Sequence, residues 1–247
     1  MTEERERIDV LREDLDLESQ RYEHAAQALV PTQASDEHRT VELRLDADGG
    51  LEWVRVHESW RTRYDVTSLA GAVMEAYGVA AGERARVWSE AAIDEDRPPT
   101  RARPAARTLA VTDELSEALQ ARGNSLDPSV LTALGELLDD LERGFDQAMA
   151  DVEDRLTSPT AGHSTSGHVT ARVVGDGQLV GVEMDERWLG SAHSFNIGRE
   201  TTEAVADARR RIAERSAAAM RDSGLARLQA MAADPQALIR QLGLGPT

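Results

Sequence analysis

At 247 residues the chain has room for two modest domains with separate cores, and its formal net charge of −17 marks it as strongly acidic. That charge repels nucleic acid at long range and favours solubility, while the absence of cysteine excludes disulfide staples and cysteine-ligated metal. No stretch approaches the roughly 18 apolar residues of a membrane span. The acidic Met1-Thr2-Glu3-Glu4-Arg5 start has no apolar segment behind it, so the expected setting is the cytoplasm.

In chain order, about 3–29 is expected to be a helix. Ile8, Leu11, Leu15, Tyr22, Ala25 and Leu29 recur at spacings of three and four along an otherwise charged rod, which makes one narrow apolar seam. Such a seam must lie on something to hold the helix, and Pro31 ends it. Residues 39–46 and 51–58 read as a hairpin turning at Asp48-Gly49-Gly50, with a bulge beside Gly50 where Trp53 breaks the alternation. A helix over about 66–92 follows, with Leu69, Val73, Ala76, Tyr77 and Ala80 down one face. The proline- and charge-rich stretch at 94–104 is a linker, and a short helix is expected over 112–122.

Asp127 as N-cap and Pro128 at the first helical position open a second long helix. Its seam, Leu131, Leu134, Leu138, Leu141, Phe145, Ala148 and Val152, holds heptad spacing for about three repeats, the lower limit for a coiled coil. A second hairpin spans 168–188, with Gly175-Asp176-Gly177 supplying the positive-φ positions of its turn. A helix over about 195–221 and two short amphipathic pieces, 224–232 and 234–242, complete the chain.

The two hairpins are related by a constant shift. Val41, Arg44, Asp48, Gly49, Leu51, Val54, Glu58 and Trp60 match Val169, Arg172, Asp176, Gly177, Leu179, Val182, Glu186 and Trp188, and 169 − 41 = 128 holds for every pair. The same shift pairs Pro31 with Pro159 and Glu75 with Glu203. Helix–hairpin–helix is therefore written twice, as a duplicated domain with pseudo-two-fold symmetry.

The second copy resembles the YbaB/EbfC family of bacterial nucleoid-associated proteins. The likeness lies in Gly167, the run Val169-Thr170-Ala171-Arg172-Val173, the turn Gly175-Asp176-Gly177 and the strand Leu179 to Met184 followed by Asp185-Glu186. An α+β fold is implied: a long helix, a three-stranded antiparallel sheet and a second helix, working as a dimer, with 28–35 and 156–163 as first edge strands. Here one chain supplies two modules, at 1–93 and 127–222, expected to pack as an internal pseudo-dimer, with homodimerisation still open. Residues 94–126 form the linker between them and 223–247 a helical tail. The first copy departs from the second in having His57 where the second has Asp185.

The resemblance implies weakly sequence-specific DNA association. Candidate phosphate contacts are Arg101, Arg103 and Arg107 in the linker and Arg209, Arg210, Arg211 and Arg215 on the last long helix. Against them, Asp207 precedes Arg211 and Arg210 precedes Glu214 by four residues, so ordinary ion pairs on a solvated face account for the same cluster. Neither cluster is interleaved with aromatics, so stacking platforms are not expected. The alternative is an acidic protein–protein adaptor, accessory to type VII secretion as relatives of this fold are, built on the helical seams. Trp60, Trp188, Leu134, Leu138, Leu141 and Phe145 are assigned to module packing. No enzyme is expected, and no cofactor or metal. His163, His168 and His193 lie in a Gly/Ser-rich stretch without a third ligand at helical spacing and read as surface histidines.

Overall fold

A computed structural model describes residues 2–93 and 128–222. The linker at 94–126 with its short helix, Asp127, and the tail at 223–247 lie outside the described residues. Contacts divide the chain into two units, Met1–Arg103 with Leu156–Ala213, and Pro104–Arg155 with Glu214–Thr247. The fold is mixed α+β, with two three-stranded antiparallel sheets and helices.

The first unit opens with α1 (Thr2–Gln27). Among the described side chains of its seam, Ala25 is fully buried and Tyr22 stacks on Trp88, while Leu11 and Leu15 are 61% and 58% exposed. Strands β1 (Thr32–Ser35), β2 (Val41–Leu45) and β3 (Leu51–Val56) follow, in spatial order β1-β2-β3. The turn between β2 and β3 is held by Asp46, whose carboxylate accepts from the N–H groups of Asp48 and Gly50. Of its two glycines only Gly49 takes a positive φ, at 82°. The register shifts between Arg44 and Leu45, which face Trp53 and Leu51. This bulge puts Val54 and Val56 in the core and turns Trp53 to the opposite face, beside Arg55.

A turn of 3-10 helix at Trp60–Thr62 leads to α2 (Leu69–Ala92), whose buried face is Leu69, Ala72, Val73, Ala76, Tyr77 and Ala80, close to the expected one. In the other half, β4 (Thr160–His163), β5 (Val169–Val173) and β6 (Leu179–Met184) repeat the order, with the same register shift at Arg172/Val173. Each strand starts and ends 128 residues after its counterpart, as in 160 − 32 and 184 − 56. In this turn, too, one glycine is left-handed: Gly177 has φ 89°, whereas Gly175, expected to share that role, does not. A short helix α4 (Glu186–Leu189), capped by the Asp185 carboxylate, precedes α5 (Ser194–Asp222).

One continuous core joins the two sheets, with Leu43, Leu45, Val73, Val169, Val173 and Ile197 among its buried members. The exposed edge that a three-stranded sheet would leave is closed reciprocally. Val54 N–H donates to Thr202 Oγ1 at 3.1 Å, and Leu179 N–H donates to the Tyr77 hydroxyl at 3.0 Å. The Arg61 guanidinium donates to the Leu189 and Ala192 carbonyls at 2.7 and 2.8 Å. At Gly198 the α5 backbone lies so close to β3 that an added Cβ would stand 2.2 Å from the Val54 carbonyl oxygen.

The long helix before β4, α3 (Pro128–Thr157), belongs to the second unit as far as Arg155, as does α5 from Glu214. The side chains of Leu134, Leu138 and Leu141 lie outside the described ones; Phe145 and Met149 are 57% and 54% exposed. No helix among the described residues is long and apolar enough to cross a membrane.

Candidate functional site

The arginine-rich face of α5 forms because its apolar residues, Ile197, Ala204, Val205 and Ala208, recur at helical spacing and are buried, which turns the intervening positions outward. Arg209, at the margin of that face, is half-buried, and its guanidinium lies against both hairpin turns. A Cβ on Gly50 would meet Nη1 at 2.8 Å, and one on Gly177 would meet Cζ at 3.6 Å. Arg210 and Arg211 are exposed and converge on Asp207, with Arg211 Nε 2.8 Å from Oδ2. The expected i,i+4 pair of Arg211 therefore forms, and Arg210 reaches back three residues to the same carboxylate. Burial would raise the Asp207 pKa, but the His163 N–H and the two guanidiniums outweigh it and hold the carboxyl below its ordinary value. Arg215 is exposed on the part of the helix assigned to the second unit. Arg101, Arg103 and Arg107 lie outside the described residues.

The two paired tryptophans follow the third strand of their sheets but meet different surroundings. Trp60 is fully buried, with the Arg61 guanidinium 4.4 Å from its ring centre. Trp188 is half-buried and stacks on His168 at 4.8 Å, and the fully buried residue there is Leu189. His168 is thus more engaged than a surface histidine: its Nδ1 lies 3.2 Å from the Glu200 carboxylate, which also accepts from Ser164 and Ser166. Ser166 Oγ and Glu200 meet the same ring nitrogen, so no serine–histidine–carboxylate relay is assembled. In the first half Asp36 fills the corresponding turn, accepting from the N–H groups of Thr40 and Val41 and from the Tyr64 hydroxyl.

A groove of about 1110 Å³ lies where β3 meets the start of α5. Trp53, Arg55 and Phe195 line it with Arg39, His57 and Arg199, and Glu42, Glu58 and Glu203 lie along the same walls. The Arg55 guanidinium packs over the Trp53 ring at 4.2 Å, and Phe195 is 70% exposed. Arg199 pairs with Glu203 at 3.2 Å. This is a set of aromatics interleaved with arginines, which the sequence analysis did not find. Its members come from segments some 140 residues apart, as in 195 − 53. The one local signal was the break in alternation at Trp53.

Residues 131–225 match the model of the YbaB/EbfC DNA-binding family, a range that takes in α3 from its fourth residue, the second sheet, α4 and α5. No curated protein and no solved structure matches the chain. Over residues 131–225 the chain is therefore similar to the YbaB/EbfC DNA-binding family.

Proposed function

We propose that the protein associates with DNA, as the name of the matched family suggests, and that it is a non-enzymatic, nucleoid-associated protein of the cytoplasm that contacts phosphates with little sequence preference. The observation that carries this reading is that the matched segment includes α5, whose outward face presents Arg210, Arg211 and Arg215. Arg210 and Arg211 both meet the Asp207 carboxylate on that exposed face, and a phosphate would compete with it for their guanidinium donors. Arg209 supports the face by bracing the two turns rather than by reaching outward. Arg101, Arg103 and Arg107 supply further phosphate contacts from the linker. A net charge of −17 opposes the approach of a polyanion, so binding is weak and falls steeply with salt.

The equal offsets of the strands and the reciprocal closing of the sheet edges support a tandem pair of modules at 1–93 and 127–222, acting as an internal pseudo-dimer. A linker at 94–126 and a tail at 223–247 lie outside them. A gel-shift salt titration on duplex DNA tests the binding reading. Replacing Arg210, Arg211 and Arg215 with Ala is expected to weaken binding at every sequence and to flatten the dependence on log salt by about 0.9 per lost phosphate contact. Absence of duplex binding at low salt defeats it.

A further inference from the structure

The groove between β3 and the start of α5 has a built-in control, the other half of the molecule. The 128-residue offset places Gly167 opposite Arg39, Gly181 opposite Trp53, Glu183 opposite Arg55, Asp185 opposite His57 and Thr67 opposite Phe195. Both halves fold to the same strands and the same bulge. The rings and cations of the groove are therefore not what the fold requires. Their charge differs as well: three arginines stand beside three glutamates in the groove. The counterpart positions carry Asp65, Glu75, Glu183, Asp185 and Glu186 and no arginine.

Arg39 adds a second observation. It is the one non-glycine residue with positive φ among the described residues, at 54°, and its counterpart Gly167 takes φ 78° without strain. A side chain held in the left-handed region costs stability, and such outliers persist where the group they carry is used. Arg39 and Arg55 form no ion pair among the described residues, and the Arg55 guanidinium stands over the Trp53 ring, so ring and guanidinium line the groove together with exposed Phe195.

We infer that this groove binds an unpaired stretch of nucleic acid, one or more bases stacking on Trp53, Arg55 and Phe195 while Arg39 meets the phosphate. Stacking platforms joined to local cations are the chemistry that single strands need, and a base, unlike a duplex, presents its face. Carboxylates on the walls accept from exocyclic amino groups. A peptide fits less well: strand addition along β3 is blocked where Val54 N–H is already taken by Thr202, and an apolar helix face would bury the guanidiniums. The inference rests on the nucleic-acid reading above but uses a different surface from the α5 arginines.

The test is fluorescence anisotropy with a labelled oligothymidylate and a blunt duplex of matched length, using the full chain and its Phe195→Ala, Arg55→Glu and Arg39→Gly variants. Phe195→Ala and Arg55→Glu are expected to weaken oligothymidylate binding by about 5- to 100-fold while duplex binding is unchanged. Arg39→Gly is expected to lower the single-strand salt slope by about 0.7 without loss of thermal stability, since glycine suits that backbone. Single-strand binding that ignores all three substitutions overturns the inference. So does duplex binding without any single-strand binding, which leaves DNA association standing. Failure of both probes removes the two readings together. Seating of a peptide in the groove in place of the oligonucleotide also overturns it.

Discussion

Substituting Gly198 by alanine tests the seam between the halves, because helix propensity and tertiary packing predict opposite signs. Alanine is the better helix former by about 1 kcal/mol, so an isolated α5 would gain from it. In the folded chain the added Cβ would stand 2.2 Å from the Val54 carbonyl oxygen and 3.0 Å from its carbon. Ordinary contact begins near 3.4 Å, so helix and strand must separate by about 1 Å, and both neighbours are backbone that cannot rotate away. Overpacking of this kind costs about 3 kcal/mol at the upper end of its usual range, which leaves a net loss of about 2 kcal/mol. Gly78, on the exposed face of α2, has nothing within 4 Å of its added Cβ, so Gly78→Ala should gain about 1 kcal/mol. Urea unfolding midpoints at constant slope read both changes. Equal stabilisation by the two substitutions would refute the placement of α5 against β3.

The Asp36 carboxylate is buried, and although burial raises its pKa, the bonds from Val41, Tyr64, Thr40 and His38 outweigh that and hold it below the ordinary value. A depressed folded pKa stabilises above the unfolded value and is lost as pH falls through the folded one. Asp36→Ala should therefore cost about 3 kcal/mol near neutral pH, and thermal melts should show the gap to the parent closing below about pH 4. Tyr77→Phe removes the acceptor of the buried Leu179 N–H and should cost about 1–2 kcal/mol in urea unfolding, with the far-ultraviolet spectrum unchanged. Trp60→Ala should cost about 4 kcal/mol and Trp188→Ala less than half of that, read as a difference in melting temperature, because only Trp60 is fully enclosed.

Local chemistry wrote much of this fold into the sequence. The period-two runs at Val41–Leu45 and Val169–Val173 and the Asp-Gly turns after them fixed both hairpins, since alternation and a left-handed turn residue act between near neighbours. Pro128 and the heptad run marked the start of the second long helix, and the residues from Val169 to Glu186 marked the family resemblance.

Tertiary structure decided the rest, because burial depends on what another segment does. Leu11 and Leu15 carry the same seam pattern as Ala25, yet of the three only Ala25 is buried. Trp60 and Trp188 share a sequence position, but Arg61 reaches across to Leu189 and Ala192 beside one of them, and His168 stacks on the other. The groove of Trp53, Arg55 and Phe195 required a one-residue bulge to turn a ring outward and a helix from the far half to meet it. No periodicity within a single strand encodes that encounter, since it is made by the closing of one sheet's edge with the other half's helix.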